Sequence, residues 1–144
     1  MKSLKNISNQ ALLNQLKQLV EQEQSLTISI LPHLIEVERR GLYLEMAYST
    51  LTEYCIHELG YGDSSASRRV RAARVIQRIP EVYDLLQKRQ ITFSAVVQVC
   101  RVLTAENKDH LLPRLAGKSR SEIDRIVAAA RRAPPARLLW NWVK

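Results

Sequence analysis

The sequence predicts an all-α protein: a compact multi-helix domain containing a helix-turn-helix, preceded by a long N-terminal helical segment. Three observations predict it. Only four glycines, five prolines and one phenylalanine stand among 144 residues rich in Leu, Ile, Val, Ala, Arg and Gln, a composition that favours helices. Apolar residues recur at three- and four-residue spacing rather than alternating. Ser and Thr cap signals stand ahead of several of these runs. The length suits one compact core and is short for two.

Ser8 or Asn9 caps the first segment, whose Leu12, Leu16, Leu19, Leu26, Ile30 and Val37 keep a 4–3 spacing that Glu23 and His33 interrupt. Pro32 lies inside this pattern, so the segment is either one kinked helix to about Arg40 or two helices. Its seam either packs on the domain's own core or forms a coiled-coil homodimer. Gly41 to Ser49 is a connector anchored by Leu42, Tyr43, Leu44 and Met46.

Thr50 to Leu59 and Ser64 to Ile79 are the two helices of the motif. Between them Gly60 can take the positive φ of a helix end, followed by the turn Tyr61-Gly62-Asp63. The second helix carries Ala66 and Val70 inward. In a helix-turn-helix, that second helix enters the DNA major groove.

Pro80 ends the second helix and opens a short one, Glu81 to Lys88. Thr92 caps an apolar helix, Phe93 to Leu103, built on Val96, Val97, Val99 and Cys100. Thr104 begins a short helix to Leu112. Ser119-Arg120-Ser121-Glu122 has the capping-box spacing and starts a helix to about Arg132, which Pro134-Pro135 stops. The resulting division is an N-terminal helical segment (1–40), a helix-turn-helix domain (41–133) and a tail (134–144) carrying Trp140 and Trp142.

On a helical wheel of Ser64 to Ile79, Ala66, Val70, Ala73 and Ile76 share one arc, widened by Ala72 and Ile79. Ser64, Ser67, Arg71, Arg74 and Arg78 share the opposite arc, with Arg68 on its flank. Five arginines and no acid lie between Arg68 and Arg78, whereas a merely solvated face mixes signs. Ser64, Ser67, Arg68 and Arg71 are expected to face the major groove. Arg74 and Arg78, with Ser65 and Arg69, are expected to reach the backbone. Arg69 leans toward the apolar arc, so it should snorkel or meet an acid of the preceding helix. Arg120, Arg125, Arg131 and Arg132 are further candidate phosphate contacts.

Net charge is +8 and unevenly spread: five Lys/Arg and eight Asp/Glu up to Ala66 give −3, and seventeen against six from Ser67 onward give +11. Such asymmetry fits a body with one basic face. Cys55 and Cys100 sit among apolar residues and read as reduced core residues of a cytoplasmic protein, nucleoid-associated if it binds DNA. No secretory leader or membrane span is expected.

Two resemblances follow from these residues. LGYGDSSASRRVRAARV, LLQKRQITFSAVV and GKSRSEIDRIV resemble, in pattern, the DNA-binding region of ParB-type partition proteins from Thr52 to about Val127, with Gln90 near the usual glycine. HLIEVERRGLYLEMAYSTLTEYCIHELGYGDSSASRRVRAARV, PEVYDLL, LTAENKDHLL and GKSRSEID resemble the N-terminal helical region of bacterial HNH endonucleases over Leu26 to Ala130. That resemblance implies a DNA-targeting module whose cutting partner is a separate metal-binding domain.

The residues of such a nuclease site are missing. His33, His57 and His110 are the three histidines, none with a partner at metal-ligand spacing, and Cys55 and His57 point to different helix faces. No phosphate loop, paired Cys-x-x-Cys motif or nucleophile elbow occurs. Glu36/Glu38 and Glu106/Asp109 read as solvated acids or partners of nearby arginines, and the two tryptophans as a cap on the core. The expectation is a non-enzymatic double-stranded-DNA-binding protein, a regulator or an orphaned targeting module. It should need no metal, cofactor or small-molecule substrate, contact no membrane, and dimerise through the N-terminal segment. The alternative is a protein-interaction module, a nuclease inhibitor or adaptor whose basic face meets an acidic protein surface.

Overall fold

The computed structural model describes residue 1 and residues 3–132. Those residues form eight helices and no strand: α1 (Asn9–Arg40), α2 (Leu42–Glu45), α3 (Leu51–His57), α4 (Asp63–Arg78), α5 (Glu81–Gln87), α6 (Phe93–Val99), α7 (Lys108–Leu115) and α8 (Arg120–Arg132). The tail with Trp140 and Trp142 lies outside the described residues.

Helix starts follow their cap chemistry. The Ser8 hydroxyl accepts from the Ala11 amide at 3.1 Å, Thr50 from Glu53 at 3.0 Å and Thr92 from Ala95 at 3.1 Å. Ser119 and Glu122 close the capping box reciprocally, the Ser119 amide donating to Glu122 Oε2 at 3.0 Å. Pro32 is accommodated inside α1, which runs as one helix and ends on Gly41 at φ 65°.

Three later boundaries move. The helix expected to reach Leu103 stops at Val99, and the one expected from Thr104 to Leu112 runs from Lys108 to Leu115. Thr104 and Asn107 pair side chain to backbone in both directions, at 2.8 and 3.2 Å, and Asn107 Nδ2 donates to the Val102 carbonyl at 2.7 Å. These bonds offer the backbone a turn in place of a helix.

The core gathers Leu31 and Leu34 of α1, Leu51 and Cys55 of α3, the apolar face of α4, Val82 and Leu86 of α5, Val96 and Val99 of α6, Leu103, Leu111 and Leu115, and Ile123 of α8. At its centre α4 packs on α1, α3, α5 and α6. In the connector, Tyr43 packs against this core, but Leu44 and Met46 are exposed and anchor nothing. Cys55 is fully buried while Cys100 is only half-buried; both are free thiols. Burial pushes the Cys55 thiol pKa up.

Only the second half of α1 contributes buried residues to the core. Ile28, Leu31 and Leu34 are buried, whereas Leu12, Leu13, Leu16, Leu19, Val20 and Leu26 all stay exposed. The seam from Leu12 to Leu26 therefore does not pack on the domain's own core, whereas its continuation, Ile30 and Val37, does. Among the described residues no helix is long and apolar enough to cross a membrane.

Candidate nucleic-acid interface

The α3–α4 connection turns as its glycine dictates. Gly60 has φ 79°, a left-handed conformation that costs an L side chain about 1 kcal/mol or more. Beyond it the Tyr61 amide returns to the Cys55 carbonyl at 3.1 Å, and Gly62 opens α4 in an extended conformation. Asp63 in the first turn complements the helix dipole. The two helices pack directly on one another.

α4 divides sharply between core and solvent. Ala66, Val70, Ala72, Ala73, Val75 and Ile76 are buried. Ser64, Arg68, Arg71, Arg74 and Arg78 are exposed, and Ser65, Ser67 and Arg69 are half-buried. Val75 is the addition to the expected apolar set. It lies on the side of the wheel assigned to the basic residues, and its burial narrows the open stripe in the second half of the helix.

The arginines differ in what holds them. Arg71 has no hydrogen-bond or ion-pair partner among the described residues. Arg74 Nη2 lies 3.4 Å from Glu38 Oε2 of α1. Arg78 Nη2 donates to the Cys100 carbonyl at 2.9 Å, tying α4 to the end of α6. Arg71, Arg74, Gln77 and Arg78 line one groove of ≈ 440 Å³ between Glu38 and Cys100.

Arg68 turns the other way. Its Nη2 donates to the Ser94 hydroxyl at 2.9 Å, and its guanidinium lies 5.5 Å from the Phe93 ring centroid. Arg69 does not meet an acid of α3. It stacks on Tyr61 at 4.4 Å, with Nη1 donating to the Ser65 carbonyl at 3.1 Å. Its Nε is buried without a partner among the described residues. Ser65, Arg68 and Arg69 border a second cleft, ≈ 540 Å³, which Arg89, Glu23 and Phe93 also line.

The C-terminal basic residues form a separate group. α8 packs on α6, and Arg125 shares a cleft with Arg114, Lys118 and Glu122. The Arg120 carbonyl accepts from Gln98 Nε2 at 3.3 Å, Arg132 Nε returns to the Ala128 carbonyl at 3.3 Å, and the Arg120, Arg131 and Arg132 side chains are exposed.

Arg89, Arg114 and Lys118 escaped the sequence reading. Arg89 has a left-handed backbone, with φ 60°. Glu36 and Glu38 are paired with arginines, as expected. Glu36 is bound by Arg39 Nε at 3.0 Å and Arg40 Nε at 2.8 Å, which hold its carboxyl pKa down at about 2.

The histidines are dispersed. His33 Nδ1 lies 2.8 Å from the Ser29 carbonyl oxygen, His57 is exposed and stacks on Tyr48, and His110 Nε2 faces Arg114 at 3.3 Å. No group of three or more His, Cys, Asp or Glu side chains placed to hold a metal occurs among the described residues. Comparison with known protein families, curated proteins and solved structures found no match to the chain.

Proposed function

We propose that this protein binds double-stranded DNA without catalysing a reaction, presenting the first turns of α4 to the major groove. One observation carries the reading: α4 is packed by four other helices through its apolar face, and, besides Asp63 and Gln77, the residues it leaves exposed are Ser64, Arg68, Arg71, Arg74 and Arg78. Packing alone demands only that these residues be polar. Arginines in sequence with no acid between Arg68 and Arg78 repel one another unless an anion neutralises them.

Recognition helices contact base edges with their N-terminal residues. Here that end opens with Asp63 followed by the small Ser64, and Arg71 is free to pair with a guanine edge. Arg74 and Arg78, already held by Glu38 and the Cys100 carbonyl, suit phosphates. The α7–α8 cluster of Arg114, Lys118 and Arg125 extends the positive surface. The role proposed is that of a regulator or a DNA-targeting module acting with a separate nuclease, working at the bacterial nucleoid.

Titration with duplex DNA and, separately, with polyglutamate across a salt series tests this reading. Log affinity for duplex should fall with log salt with a slope of about −0.9 per phosphate, for roughly four to eight phosphates. Equal binding of polyglutamate, or a salt-insensitive duplex complex, would favour an acidic protein partner instead. Supercoiled plasmid should remain intact with magnesium, manganese or zinc present.

A further inference from the structure

We infer that two copies of the chain pair through the N-terminal half of α1 as an antiparallel two-stranded coiled coil. The stripe Leu12, Leu16, Leu19 and Leu26 leads toward the half-buried Ile30. It keeps the 4–3 spacing of a coiled-coil seam, and Leu16, Leu19 and Leu26 are 56%, 62% and 65% exposed. The 18 residues of Asn9–Leu26 extend about 27 Å at 1.5 Å per residue.

An exposed apolar stripe of this length marks an interaction surface, even with Glu23 set into it. Two such stripes face to face approach the scale of about 1,000 Å² at which specific interfaces begin.

Charge selects the occupant. Between Asn9 and Leu26 only Lys17, Glu21 and Glu23 are charged, a net of −1 that attracts neither DNA nor an anionic membrane. The seam's regular period matches a second copy of itself.

Glu23 then selects the direction. In a parallel pair, both Glu23 carboxylates would share one seam layer, a like-charge contact withdrawn from water. An antiparallel register instead layers Leu12 on Ile30, Leu16 on Leu26 and Leu19 on Glu23 of the other copy. It separates the two Glu23 layers by four residues, about 6 Å of rise.

Sedimentation of the full chain and of Leu16→Glu at tens of micromolar tests the pairing, with circular dichroism monitoring the fold. Leu16 touches no buried core residue, so the variant should stay helical and sediment as a monomer while the natural chain sediments as a dimer. A monomeric natural chain, or a dimeric Leu16→Glu, overturns the pairing.

Orientation is read by disulfide trapping in a Cys100→Ser background, Cys55 being fully buried. Mixed Leu16→Cys and Leu26→Cys chains should cross-link to each other, and Leu19→Cys should not cross-link to itself. Preferential Leu19→Cys self-cross-linking overturns the antiparallel register.

Discussion

The Arg89 guanidinium donates through Nη2 to the Ser25 hydroxyl at 2.7 Å, joining the end of α5 to the middle of α1. The same side chain reaches the Glu21 carbonyl at 3.2 Å and Gln24 Oε1 at 3.3 Å. It does so from a left-handed backbone at φ 60°, a conformation that disfavours every residue but glycine. Arg89 thus braces the point where α1 leaves the body. Arg89→Gly removes the brace but relaxes the backbone, whereas Arg89→Ala removes the brace and keeps the strain. The alanine variant should be less stable by about 1 kcal/mol, read from urea unfolding midpoints. Equal midpoints would mean that the left-handed turn carries no strain.

Arg71 and Arg78 should separate recognition from stability. Arg71→Ala removes a side chain without a protein partner, so thermal stability should hold while preference for the cognate site falls by about 1–3 kcal/mol. Arg78→Ala also breaks the bond to the Cys100 carbonyl and should lower the melting temperature. Its effect on binding should be alike on cognate and random duplex. Identical behaviour of the two variants would refute the division of labour.

Asp63 places a negative charge at the end of α4 that would approach DNA first. Its carboxylate favours the helix dipole at about 0.3–1 kcal/mol but opposes phosphate. Asp63→Asn should therefore tighten duplex binding on all sequences, most at low salt, with a small loss of stability. Weaker binding at low salt would place this helix end away from the duplex.

Two hydrogen-bonded groups give opposite pH signatures. The Tyr48 phenol donates to Glu58 Oε2 at 2.9 Å, and this bond raises its pKa. The stabilisation is complete below the ordinary tyrosine pKa of about 10 and disappears as pH rises through the elevated value. Glu36, lowered to about 2 by Arg39 and Arg40, stabilises above the ordinary glutamate value and loses that contribution as pH falls toward 2. Tyr48→Phe should flatten the alkaline limb of the stability profile, and Glu36→Gln the acid limb. Unchanged limbs in unfolding titrations would count against the two bonds.

Reading the chain locally was enough wherever the controlling residues lie three or four positions apart. The caps at Ser8, Thr92 and Ser119–Glu122, the turn at Gly60 and the amphipathic division of α4 are such features, because a side chain and the amides it caps belong to the same few residues. The five-arginine stretch was visible for the same reason. What each arginine touches was not: Ser94, Glu38 and the Cys100 carbonyl meet α4 only when distant helices close around it.

The sequence by itself determined the all-α class, most helix starts and the basic stripe. Tertiary structure decided that Val75 is buried beside that stripe, that Leu44 and Met46 face solvent, and that the seam from Leu12 to Leu26 has no partner in its own body. It also turned Arg89 into a brace on α1. Hydrophobic periodicity states that a face is apolar. Only the placement of other elements states what covers it, because burial is a property of neighbours far apart in sequence.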